Sequence, residues 1–212
     1  TEGAIDEALR HSITKMSHFH FVASEVYKKR VIQLGEDPRR VFNVGGLGID
    51  NIRKIEFLSR SEIEQKLNLK FGIKNLLITF HPETLDAFSN RSKTIELLSA
   101  LKLFKDITLI FTMPNADTNG RIIGDLIKRF CDTRENAYYY KSLGQKNYFS
   151  CLNYCDGVLG NSSSGILEVP TFKKGTINIG DRQKGRLRAN SVIDCEPNKE
   201  EIINAINKLY LK

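Results

Sequence analysis

The run Gly160-Asn161-Ser162-Ser163-Ser164-Gly165 sets small and hydroxylic residues between two apolar patterns. Before it, Asp156-Gly157-Val158-Leu159 reads as a short buried strand. After it, Ile166, Leu167 and Val169 open a helical pattern that meets Pro170. A turn from strand into helix leaves the first helical N–H groups without intrahelical partners, at the positive end of the helix dipole. That combination suits a phosphate or pyrophosphate. Ser162, Ser163 and Ser164 add hydroxyl donors, and Gly165 is expected to let a ligand approach the backbone closely. The same residue types also build an ordinary helix cap that binds nothing.

Other residues extend the chemistry. His81 ends an apolar run and precedes Pro82, which disfavours helical backbone before it and leaves the imidazole at the sheet edge. There it could move a proton near neutral pH or hold a phosphate oxygen; a bond to a neighbouring loop is the plain alternative. Glu168, one turn past the serines, is in reach of ribose hydroxyls and equally suited to complement a helix dipole. Arg182, Lys184 and Arg186 offer counter-charge for a diphosphate, with Arg182 nearest a strand end, or form a solvated basic loop. Asp6 and Glu7 open the first helix, where ordinary capping accounts for both. His11, His18 and His20 read as structural.

These residues need a scaffold that gathers them. Helical periodicity over Ala4–Ser17, a strand over His18–Ala23, a helix from Ser24 to Leu34 and a strand over Arg40–Val44 lead to Gly45-Gly46-Leu47-Gly48. That glycine-rich stretch is read as a hinge, dividing a remnant of one domain (1–45) from a second domain (46–212). Thereafter helices (50–58, 60–68, 86–104, 119–131, 145–154, 198–210) alternate with apolar strands near 75–80, 108–112, 137–140, 156–160, 175–180 and 191–194. This alternation predicts an α/β fold, a Rossmann-like parallel sheet covered on both faces. Ligands of such sheets bind outside the carboxyl ends of the strands. His81, Asn115, Ser142, Asn161–Gly165 and the basic loop after Gly180 all fall there.

Composition narrows the partner. The net charge of +7 favours an anion, yet the basic residues are scattered and no zinc-finger, RNP-type or basic-helix pattern occurs. A small phosphorylated ligand is therefore preferred to nucleic acid. No apolar run approaches the ~20 residues that span a bilayer, so no membrane partner is expected. Cys131, Cys151, Cys155 and Cys195 lack nearby histidines and read as reduced, partly buried thiols of a cytoplasmic protein, with no metal site. Residue 1 is Thr and the N-terminus lacks a signal-peptide pattern, which suggests a chain cut from something longer.

Several of these motifs together resemble the hydrolysing UDP-N-acetylglucosamine 2-epimerases. They are Gly160-Asn161-Ser162-Ser163-Ser164-Gly165, Glu168-x-Pro170 and Ile177-Asn178-Ile179-Gly180-Asp181-Arg182-Gln183-x-Gly185-Arg186. The His81-Pro82-Glu83-Thr84 block and the Glu2–Lys15 opening fit the same family. The resemblance runs the length of the chain and implies the C-terminal half of a glycosyltransferase-B-like two-domain fold. It implies elimination of UDP across C1–C2 of the sugar, then hydration to N-acetylmannosamine for sialic acid synthesis, with no metal or redox cofactor. Relatives acting on a diacetamido sugar nucleotide of the legionaminic acid route are the neighbouring alternative.

By the same resemblance Asn161, Ser162, Ser163, Ser164 and Gly165 would hold the diphosphate and Glu168 the ribose. Arg182 would bind the nucleotide, His81 would lie by the leaving group, and Asp6 would be a catalytic carboxylate. Family members carry further acidic residues upstream of Thr1, so this chain is expected to bind UDP weakly without turnover. Apolar faces on the 1–45 remnant suggest a homo-oligomer. A UDP-sugar glycosyltransferase, a non-hydrolysing epimerase and an inactive nucleotide-sensing module are the competing readings.

Overall fold

The computed structural model describes residues 5–83, 89–114 and 120–211. Thr84, Asn115 and the start expected for the 86–104 helix lie outside the described residues. So does the side chain of Asp6, although its backbone belongs to the first helix. The chain divides into two compact units, one up to Ile55 and one from Glu56 onward.

The first unit runs α1 (Ile5–Met16), β1 (His20–Val22), α2 (Glu25–Gln33), β2 (Val41–Asn43) and α3 (Leu47–Lys54). β1 and β2 pair in parallel, His20 opposite Val41. Ser24 caps α2 by accepting from the Tyr27 N–H. His20 is buried and bonds Glu36 at 3.1 Å, while Lys15 holds the same carboxylate at 2.6 Å. The expected structural role of His20 is the observed one. Leu9, Ile13, Met16, Phe19 and Phe21 stay exposed.

The second unit contains α4 (Arg60–Leu67), β3 (Lys74–Thr79), α5 (Asn90–Leu101), β4 (Ile107–Thr112), α6 (Gly120–Asp132) and β5 (Ala137–Tyr140). It continues with α7 (Gly144–Asn153), β6 (Gly157–Gly160), α8 (Ser164–Leu167), β7 (Gly175–Ile179), β8 (Val192–Cys195) and α9 (Lys199–Tyr210). Among the described residues its six strands are all parallel, in the order β5-β4-β3-β6-β7-β8. This is the α/β class with a Rossmann-like sheet that the alternation predicted. Both faces are covered, which is why the strands are apolar throughout. Leu76, Ile78 and Phe80 enter the core shared with α5, α6 and α9. The alternate residues Leu77, Ile110 and Val158, also buried, point to the opposite face.

Two segments depart from the periodicity. The helix expected over 50–58 ends at Lys54, because the chain after it is pinned in extended form. Phe57 packs on Phe172, the Leu58 N–H donates to Ser150 Oγ at 3.0 Å, and Ser59 closes a capping box with Glu62. The helix expected after the serines is a single turn, followed by a 3-10 turn over Val169–Phe172. Pro170 lacks an N–H and its ring clashes with the carbonyl four residues back, so an α-helix cannot continue through it.

Candidate functional site

The strand order reverses between β3 and β6, and ligands of open parallel sheets bind at such a switch point. Thr79 and Gly160 are the last residues paired there. Gly160 has φ 138°, and a Cβ on it would collide with the Thr79 carbonyl oxygen, so only glycine lets the two strands run this close. A regular parallel ladder would next join the His81 N–H to the Asn161 carbonyl. The Asn161 side chain takes that place: its Oδ1 accepts from the His81 N–H at 2.7 Å and its Nδ2 donates to the His81 carbonyl at 2.9 Å. The freed Asn161 carbonyl instead accepts from Arg182 Nη1 at 3.1 Å and Gln183 Nε2 at 2.7 Å. One fully buried residue, through its carboxamide and its backbone carbonyl, thus ties His81, the serine turn and the basic loop together.

The serine turn itself is not an ordinary cap. Ser163 sits at the cap position of α8 and makes no side-chain capping bond. The N–H groups of Ser162 and Ser163 have no protein acceptor among the described residues. With only one helical turn behind them, a full macrodipole is missing, and attraction for an anion rests on these N–H and hydroxyl groups. Gly165 also plays a different part from the one expected. It is buried with its Cα toward β7, where a Cβ would lie 2.6 Å from Thr176 Cγ2, and its carbonyl accepts from Thr176 Oγ1 at 2.7 Å. Glycine is needed there for packing on the sheet, behind the turn.

In front of the turn lies a cleft of about 370 Å³ at the carboxyl ends of β3, β4, β5 and β6. His81, Ser162, Ser164 and Glu168 line it together. Thr79 and Thr112 form its floor, their hydroxyls 2.6 Å apart across β3 and β4. Asn161, Ser163, Gly165 and Arg182 are not on its wall; Asn161 and Arg182 brace it from behind. Glu83, in the same block as His81, holds Lys93 at 2.7 Å and exchanges two bonds with Asn90, fastening the turn after β3 to α5.

The cleft is also lined by residues that sequence reasoning passed over. Lys141 and Gln145 line it, and Lys141 has no ion-pair or hydrogen-bond partner among the described residues. Tyr148 from α7 donates to Ser164 Oγ at 3.0 Å, and burial pushes its phenol up to about 12. The available signal was position: Lys141 directly follows the apolar strand 137–140, at the carboxyl edge where such sheets place ligands.

Comparison with known proteins identifies the relatives of this chain. The sequence profile of the family described as UDP-N-acetylglucosamine 2-epimerase matches residues 1–212. A GDP/UDP-N,N'-diacetylbacillosamine 2-epimerase (hydrolyzing) of Campylobacter jejuni is 45% identical over 100% of this chain and 55% of its own length. A UDP-N,N'-diacetylbacillosamine 2-epimerase (hydrolyzing) of Legionella pneumophila is 34% identical over 99% of this chain and 56% of its own. Among solved structures, the S. aureus MnaA–UDP co-structure superposes with a TM-score of 0.77 at 15% identity, covering 98% of this chain and 55% of that one. That likeness carries the fold, a glycosyltransferase-B-like architecture of which this chain spans about half. The chain likewise spans about half the length of the curated relatives it matches. With its full length inside the profile and its strand ends gathered on one cleft, the chain belongs to the UDP-N-acetylglucosamine 2-epimerase family.

Proposed function

We propose that this chain is the nucleotide-holding part of a hydrolysing 2-epimerase acting on a UDP-linked 2-acetamido sugar. The observation that carries the reading is the convergence of His81, Lys141, Ser162 and Ser164 on one cleft at the switch point. These groups offer hydroxyl and cationic partners to a diphosphate, with the N–H groups of Ser162 and Ser163, unpartnered among the described residues, beside them. Glu168, on the same wall, is suited to accept from ribose hydroxyls. Arg182 acts through the Asn161 carbonyl, bracing the cup.

In the proposed reaction a base removes the C2 proton while the C1–O bond breaks and UDP departs with the electron pair. Groups of the cup stabilise the charge gathering on the leaving diphosphate. Water then adds across the resulting C1=C2 bond, hydroxyl to C1 and a proton to C2 from the opposite side. This gives a free sugar inverted at C2. His81, in the cleft lining, is the residue proposed to lie beside the leaving group, and Asp6 is the carboxylate proposed for proton transfer. The sugar product would feed synthesis of a nonulosonic acid of the sialic or legionaminic type. Two relatives carry the diacetamido sugar in their names and the family carries N-acetylglucosamine in its own, so both sugars are kept as substrate readings. The buried free thiols support a reducing, cytoplasmic setting.

Calorimetric titration with UDP and with uridine tests the reading. Wild type is expected to bind UDP, and Lys141→Ala and Ser162→Ala each to weaken UDP by about tenfold while leaving uridine unchanged. Absence of heat at millimolar UDP would overturn it. NMR detection of free sugar from UDP-N-acetylglucosamine and from UDP-diacetylbacillosamine, assayed side by side on a version carrying the N-terminal half as well, separates the two substrate readings.

A further inference from the structure

Two hydroxyls of the serine turn have their acceptor sides engaged from within the protein. Ser162 Oγ accepts from the Ser164 N–H at 3.4 Å, and Ser164 Oγ accepts from the Tyr148 phenol at 3.0 Å. Neither hydroxyl donates to any protein group among the described residues, and both residues line the cleft. A hydroxyl carries one hydrogen, so a bond accepted from another protein group leaves that hydrogen to be given in another direction. Accepting a bond also polarises the hydroxyl and strengthens it as a donor.

We propose that Tyr148 is a positioning residue that sets the polarity of the cup, turning the Ser164 O–H toward the cleft as a committed donor to an anionic oxygen. This rests on the reading of the cleft as a diphosphate site. Burial of the phenol, with the Glu168 carboxylate adding to the effect, keeps Tyr148 protonated across the neutral range, so its own hydrogen stays available to Ser164. Its ring is held edge-on by Phe149, centroids 5.4 Å apart, and α7 carries it into the lining of the same cleft, within hydrogen-bond reach of the turn. Without the phenol, Ser164 is free to rotate, and its hydroxyl can present a lone pair to the ligand as readily as a hydrogen.

The test is a double-mutant cycle on the 212-residue chain: wild type, Tyr148→Phe, Ser164→Ala and the double variant. Each is titrated with UDP, uridine and inorganic pyrophosphate. Tyr148→Phe keeps the ring contacts and is expected to bind UDP and pyrophosphate about five- to tenfold more weakly, with uridine unchanged. Ser164→Ala should show the same split, and the double variant should be no weaker than Ser164→Ala alone. Equal weakening of uridine by Tyr148→Phe would mean a packing role and overturns the proposal. Wild-type affinity for pyrophosphate in Tyr148→Phe, or additive losses in the double variant, overturns it too. A wild-type chain that binds pyrophosphate but not UDP ends the nucleotide reading, while the Tyr148 comparison is still decided on pyrophosphate. A chain that binds neither overturns both.

Discussion

Asn161 shows how much one side chain can decide. Its carboxamide supplies one acceptor and one donor to the His81 backbone, and only an amide offers both in that geometry. Asn161→Asp keeps the shape and the acceptor but sets a carboxylate oxygen against the His81 carbonyl in a fully buried place. Stability should fall by about 3 kcal/mol at neutral pH, read from the urea midpoint. The introduced carboxylate would have a folded-state pKa raised above its unfolded value of about 4. The loss should therefore shrink as pH drops toward that value, where protonation restores a donor. A deficit that stays constant down to pH 4 would contradict this account. His81, Ser162, Ser164 and Glu168 were legible as candidates because strand ends can be read from apolar runs. That Asn161 is spent on His81 was not, since the bond spans eighty residues of chain.

Among the elements, the turn between β6 and α8 is held in place by close packing more than by its own helix. Gly165 lets the turn lie directly on Thr176 of β7. Gly165→Ala would drive a methyl into Thr176 Cγ2 and is expected to cost about 1–3 kcal/mol. Thr176→Ser removes that methyl while keeping the hydroxyl bonded to the Gly165 carbonyl. The double variant should then recover most of the loss in a thermal melt; failure to recover would place the strain elsewhere. Periodicity predicted a longer helix after the serines, and Pro170 was visible as its limit. What it could not reveal was that the residues between them form a single α-turn. Asn198 was an easier case, because a cap is a local bond: it accepts from the Glu201 N–H at 3.0 Å and starts α9 where expected.

For the molecule as a whole, burial sets the response to alkali. The Cys131 and Cys195 thiols and the Tyr148 phenol are each pushed up to about 12 by burial. In the unfolded chain thiols ionise from about pH 8.5 and phenols from about pH 10. Folded-state pKa values raised above the unfolded ones give stability that is complete below pH ~8.5 and is lost as pH climbs toward 12. The urea midpoint should hold steady from pH 7 to 8 and decline beyond pH 9. The four buried cysteines should also react with a thiol reagent only after denaturation. Rapid reaction of the native chain would contradict the burial. The α/β class, the parallel sheet and the polar strand ends were all determined by the sequence itself. Periodicity and turn residues are local signals, and a buried parallel strand leaves an apolar run that needs no partner to be recognised. Tertiary structure alone decided which of those polar residues share a wall. It put Tyr148 against Ser164, set Lys141 in the same cleft as Ser162 and Ser164, and drew Arg182 and Gln183 onto the Asn161 carbonyl. The physical reason is strand order: β6 follows β5 along the chain but lies beside β3 in the sheet, so neighbours in space are strangers in sequence.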